Sequence, residues 1–254
     1  MKNESVKKIE IALDLEKEVV GIKFIDYKKQ FDKLDLEVLE KNGPFCYLVR
    51  HGMDGNIFKA NSDTITCDYS RYALGVTKPD QAIRAGRSYS YCGLYESDAI
   101  AKDIVDSMKY NDQDIYGVII GPLKLMEDAD VVVIAGFGET IMRVMQGYAY
   151  KYGDPKNLSF FGNQAICADL VSKPYGNNDI NISLMCRGAR AYGRFDKGEI
   201  GVGIPINMFD NLVDGIVKTI NPVNNPKEKE AILKRAKDNL DLIGDIDKNY
   251  NYGK

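Results

Sequence analysis

Apolar residues recur along this chain with two periods, and the alternation between them predicts a mixed fold. A helical spacing, apolar at i, i+3, i+4 and i+7, is seen over residues 5–16 (Ile9, Ala12, Leu13), 31–39, 97–110 (Ile100, Ile104, Val105, Met108), 139–152 (Ile141, Met142, Met145, Tyr148), 209–220 (Phe209, Leu212, Val213, Ile216) and 225–240. Short β-branched runs at 19–25, 45–49, 117–123, 130–135 and 201–206 predict strands, with 165–171 read as a strand or strand–helix edge. Ser97 and Asn225 stand where helix caps belong, the latter with Pro226 and Glu228 completing a capping box. Ser5 is a candidate cap for the first helix, residues 78–96 read as irregular, and the tail after Gly244 reads as loose.

Two stretches organise the rest. Thr64-Ile65-Thr66-Cys67-Asp68-Tyr69-Ser70-Arg71 runs on to Gly75, and Ile182-Ser183-Leu184-Met185-Cys186-Arg187-Gly188-Ala189-Arg190 runs on to Gly193. Each reads as a strand ending at a Cys, a short helix starting there, and a Gly that stops it. Residues four apart share a helix face, which sets Arg71 over Cys67 and Arg190 over Cys186. A helix start and a neighbouring cation both favour a thiolate, the form that ligates soft metals and attacks electrophiles.

The order of events repeats along the chain. Glu18-Val19-Val20 matches Asp130-Val131-Val132, Cys46 matches Cys167, Cys67 matches Cys186, and Gly117 to Pro122 matches Gly201 to Pro205. This predicts an internal duplication. The expected fold class is α/β (or α+β): two pseudo-symmetric α/β repeats fused into one compact domain. The first repeat covers 1–128 and carries a lid-like insertion at 78–110. The second covers 129–222, and a C-terminal helix and tail cover 223–254.

Composition narrows the chemistry. The chain has 254 residues, 44% hydrophobic, and a net charge of −3. That suffices for a substantial core and gives no basic footprint for nucleic acid. No apolar run is long enough to span a membrane, and the N-terminal residues lack a signal-like apolar core. A cytoplasmic protein is expected. Five widely spaced cysteines are then expected as thiols, without disulfides. With one histidine, His51, a His-rich zinc site or a Ser–His–Asp triad is disfavoured. Gly136-Phe137-Gly138 before a helix reads as a tight turn rather than a phosphate loop, because Ile141 stands where a third Gly belongs and Glu139 would repel the anion.

The segments TCDYSRYALG, Gly121-Pro122-Leu123, AICADLVSKP, SLMCRGAR and Gly203-Ile204-Pro205 together resemble the uncharacterised ArCR family, domain-of-unknown-function family 169, over roughly residues 5 to 220. The resemblance implies no established activity and supplies no catalytic residues. It is similar in kind to cytosolic proteins of anaerobic metabolism, which implies an oxygen-sensitive cofactor.

The residues themselves support three expectations. The first is an iron–sulfur or other metal site ligated by Cys67, Cys167 and Cys186, with Cys46 or Cys92 as a fourth; zinc is the lesser version, and no CxxC pair is present. Redox or sulfur-transfer chemistry on a small molecule, with an electron-transfer partner and a homo-oligomer as options, would follow. The second is a metal-free enzyme with Cys67 or Cys186 as a nucleophilic thiolate, its anionic substrate held by the loop arginines Arg84 and Arg87, with Arg71 and Arg190 as further substrate-binding candidates. The third is a non-catalytic module binding a small molecule or tetrapyrrole among Tyr89, Tyr91 and Tyr95.

Overall fold

The computed structural model describes residues 2–39 and 42–249. Six strands form one sheet: β1 (Val20–Ile25), β2 (Phe58–Asn61), β3 (Gly117–Pro122), β4 (Val131–Gly136), β5 (Asn181–Ser183) and β6 (Ile200–Pro205). Their order is β2-β3-β1-β4-β6-β5, and every neighbouring pair is antiparallel. The fold is therefore a mixed α and β arrangement on an antiparallel sheet. At the centre β1 meets β4, with Gly21 opposite Val132.

Alternation along the strands sends side chains to two faces, and both are covered by helices. On one face Val20, Ile22, Phe24, Val118, Ile120, Val131 and Val133 pack against Phe45, Leu48 and Val49 of the helix Phe45–Met53, Leu74 of Asp68–Leu74, and Ile166, Leu170 and Val171 of Ala165–Ser172. On the other face Val132, Ile134, Val202 and Ile204 pack against the helices Lys2–Leu13, Gly138–Tyr152 and Ile206–Lys218. The last two of these cross where Gly147 meets Gly215, so closely that a Cβ on either would strike the opposite helix.

Several expectations are corrected here. Residues 45–49 are not a strand but the start of the helix Phe45–Met53. Residues 165–171 are not a strand but a π-helix, Ala165–Ser172, and all its residues are buried. The helix expected at 31–39 is confined to Lys28–Lys33. The segment 78–96 holds two short helices, Gln81–Arg84 and Arg87–Tyr91. Ser5 lies inside the first helix and donates to Asp210 instead of capping. The stretch after Gly244 continues the helix Leu240–Asn249, while residues 250–254 lie outside the described residues. The strands before the two Cys motifs stop early, at Asn61 and Ser183. The caps at Ser97 and Asn225 are formed, the second as a full capping box.

Candidate functional site: a cleft lined by four cysteines

A cleft of about 620 Å³ opens on the face covered by Phe45–Met53, Asp68–Leu74 and Ala165–Ser172. Cys46, Cys67, Cys167 and Cys186 all line it, each carried by a different element. Each also sits at the start of its helix. Cys67 is the N-cap of Asp68–Leu74, and Cys186 is the N-cap of Arg187–Ala191. Cys46 and Cys167 lie in the first turns that follow Pro44 and Gln164, and both of those caps line the cleft too. Four helix starts thus face one space.

Local geometry explains how the chain gets there. Gly75 ends the Cys67 helix in the left-handed region, at φ 78°. Met185 takes φ 69° just before Cys186, and Gln164 takes φ 48° just before the Cys167 helix. Such backbone is uncommon for side-chain-bearing residues and is held by its surroundings. The Gln164 amide nitrogen donates to the hydroxyls of Tyr89 and Tyr110. The Ser172 hydroxyl bonds to the carbonyls of Ala73 and Cys167, which ties the π-helix to the Cys67 helix. A π-helix presents an extra residue per turn to the same face and is enriched at functional sites.

Burial sets the charge state of the inner pair. It pushes the Cys46 thiol up to about 12, and charge on Cys186 and Cys67 adds to the effect. It holds Cys167 well above the ordinary thiol range, with Cys67, Cys186 and Cys46 adding again and a hydrogen bond with Ser70 opposing. Each inner thiol thus responds to the other cysteines of the cleft. The Cys186 sulfur accepts the Ala189 N–H at 3.4 Å. Among the described residues that line it none carries a carboxylate, and Arg187 brings the one guanidinium. Among the described residues no group of three or more His, Cys, Asp or Glu side chains stands close enough together to hold an ion as placed.

The expected arginines lie elsewhere. Arg71 pairs with Asp68 and donates to the Ser62 carbonyl at 3.2 Å. Arg190 donates to the carbonyls of Leu184 and Glu199, at 2.9 and 3.0 Å. Both guanidiniums fasten the backbone leading into or out of their motif, and neither residue lines the cleft. Arg84 and Arg87 are exposed, at 3.5 Å from Asp112 and 3.8 Å from Asp98. Cys92 is exposed and its thiol donates to the Tyr89 carbonyl at 3.2 Å. Tyr91 is exposed, and Tyr89 is buried among Tyr69, Tyr95 and Tyr110. Sequence reasoning missed Asn163, Gln164 and Arg187. Arg187 stood inside the Cys186 motif, and Gly162-Asn163-Gln164 before an apolar run was a helix-start signal.

Comparison with known proteins gives a family and no activity. The chain is 26% identical over 216 residues to an uncharacterized protein of Methanocaldococcus jannaschii, covering 84% of this chain and 92% of that one. No solved structure matches it. The model of the family described as uncharacterised ArCR matches residues 8–215, a span that holds all four cleft cysteines, and the chain belongs to that family.

Proposed function

We propose that the cleft holds an iron–sulfur cluster through its cysteines and that the protein uses it for redox or sulfur-transfer chemistry on a small molecule. The observation that carries this reading is that Cys46, Cys67, Cys167 and Cys186 line one space from four separate elements. A single zinc ion needs every sulfur about 2.3 Å from one point. A cubane spreads its ligands, with thiolates roughly 6–7 Å apart, so it asks less rearrangement of side chains that are not grouped around one point. Three cysteines would leave one iron open to substrate, and four would make an electron carrier that meets a redox partner. A lining whose described residues include Arg187 and no carboxylate suits an anionic cluster.

The same reading accounts for the chain's order. The strand order β2-β3-β1-β4-β6-β5 is unchanged when β1, β2 and β3 are exchanged with β4, β5 and β6 and read from the other edge. Under that exchange Cys46 takes the place of Cys167 and Cys67 that of Cys186. We read this as a duplication, with repeats at 1–128 and 129–222 and a C-terminal segment at 223–254. The 78–110 insertion is then a lid: Leu94 lines the cleft, and Tyr89 meets Gln164 at its wall. A cytoplasmic, reducing compartment fits five free thiols.

A metal-free thiolate enzyme is the second reading, favoured by the Cys186 sulfur already accepting a helix N–H. One experiment separates the two. The full chain, purified without oxygen or reconstituted with iron and sulfide, is expected to be brown and to hold both elements. Cys67→Ser, Cys167→Ser and Cys186→Ser should lose them, and Cys92→Ser should not. Equal iron in all four variants, or none in the parent together with rapid alkylation of one cleft thiol, would overturn the cluster in favour of the thiolate.

A further inference from the structure

The lining of the cleft is stratified by depth. Cys46 and Cys167 are buried at its floor, and Cys67 and Cys186 are half-buried above them. The outermost lining residues are of another kind. Leu94 is 51% exposed, Tyr192 is 63% exposed, and Arg187 is exposed as well. Single exposed apolar side chains are ordinary on a protein surface, but here two of them share the mouth of one cleft with a guanidinium. Arg187 makes no hydrogen bond or ion pair among the described residues. Its counterpart in the other Cys motif is Asp68, which pairs with Arg71 and does not line the cleft. Arg187 is therefore the one permanently charged side chain among the described lining residues. Tyr69 adds a ring whose hydroxyl is engaged by Ser88 and which stacks on Tyr89 at 4.9 Å, leaving ring carbon for the cleft. Small-molecule sites combine a mostly apolar lining with a few groups that fix orientation, in roughly 300–1,000 Å³. The cleft, at about 620 Å³, has that composition above its thiols. An arginine fork matches a carboxylate in shape, and a single unpaired cation matches a single negative charge.

We infer that the cleft takes a small carboxylic acid with an apolar body, its carboxylate held by Arg187 and its body lying on Tyr69, Leu94 and Tyr192 above the thiols. This rests on the cleft being the functional site and deepens that reading by naming the class of small molecule. It does not need the cluster, and it leaves the floor of the cleft to one.

Three probes test it. 4-Phenylbutyrate carries both features, 4-phenylbutanamide has the same body without the charge, and butyrate has the charge without the ring. Calorimetric titration of the full chain at neutral pH should show 4-phenylbutyrate binding at least about tenfold more tightly than either of the others. Arg187→Met should abolish the preference over the amide, and Arg84→Met, at an exposed arginine outside the cleft, should leave it intact. Tyr192→Ser should narrow the preference over butyrate. Bound 4-phenylbutyrate should also slow the alkylation of Cys186 by iodoacetamide in the iron-free chain and leave exposed Cys92 unprotected. Equal binding of acid and amide, no heat from any probe, a preference that survives both Arg187→Met and Tyr192→Ser, or an unprotected Cys186 would overturn the inference. Iron content measured on the reconstituted protein keeps the two ideas apart. Probe discrimination without iron would sink the cluster alone, and a loaded cluster without discrimination would sink the acid site alone.

Discussion

Gly203 of β6 lies against the backbone of Leu170, so closely that a Cβ at 203 would collide with the Leu170 carbonyl. Glycine at this point lets the π-helix rest directly on the sheet, and that contact sets the height at which Cys167 enters the cleft. Gly203→Ala should therefore lift the helix, cost about 3 kcal/mol as overpacking, and shift the reactivity of Cys167. Gly138→Ala, where a Cβ meets nothing within 4 Å, is the control. Denaturant midpoints check both; equal stability in the two variants would show that the contact does not matter.

The four cleft thiols should differ in reactivity from Cys92. Iodoacetamide labelling of the unliganded chain at pH 8, followed by mass spectrometry, should mark exposed Cys92 first and buried Cys46 and Cys167 last. For Cys46, held at about 12 rather than 9.0, the thiolate population falls by roughly a thousandfold. Under denaturing, non-reducing conditions all five should react, and recovery of three or fewer would reveal disulfides.

Loading the cleft should release protons. The inner thiols Cys46 and Cys167 are protonated near neutral pH, and a metal takes the thiolate. Apparent affinity for cadmium, a soft probe ion followed by its thiolate absorption, should rise with pH by about tenfold per unit for each protonated thiol engaged. A flat profile between pH 6 and 8 would mean that neither inner cysteine is a ligand.

Asp169 should make the protein less stable as pH rises from about 4 to about 7. It is 1% exposed, and burial raises its carboxyl to about 7, opposed by the Ser183 hydroxyl at 2.7 Å and by Lys173. In that window the unfolded chain has lost a proton that the folded one keeps, so unfolding is favoured with increasing pH by up to about 1.4 kcal/mol per unit. Asp169→Asn keeps an acceptor for Ser183 and should flatten this part of the stability profile. An unchanged slope in urea melts across pH 4–7 would assign it to other groups.

Periodicity and caps alone determined much of this molecule. The helices at 138–152 and 206–218 keep one apolar stripe against the sheet, and β1, β3, β4 and β6 are read directly from β-branched runs. The Cys67 and Cys186 motifs announced helix starts because a polarisable cap residue, a short helical run and a following Gly are local properties. The tertiary structure decided the rest. Residues 45–49 are a continuous apolar run and 165–171 one interrupted only by Asp169, and when both faces are buried a run carries no period to tell helix from strand. The π-helix 165–172 is seated with Leu170 against Gly201 and Gly203, a contact between distant parts of the chain. Arg71 and Arg190 turned to backbone carbonyls that helix spacing cannot foresee. The antiparallel pairing of β1 with β4 joined the two halves of the chain, and packing over that joint brought Cys46, Cys67, Cys167 and Cys186 to one cleft. Their convergence is a long-range property: it depends on which helix ends share a sheet face, and sequence distance does not record that.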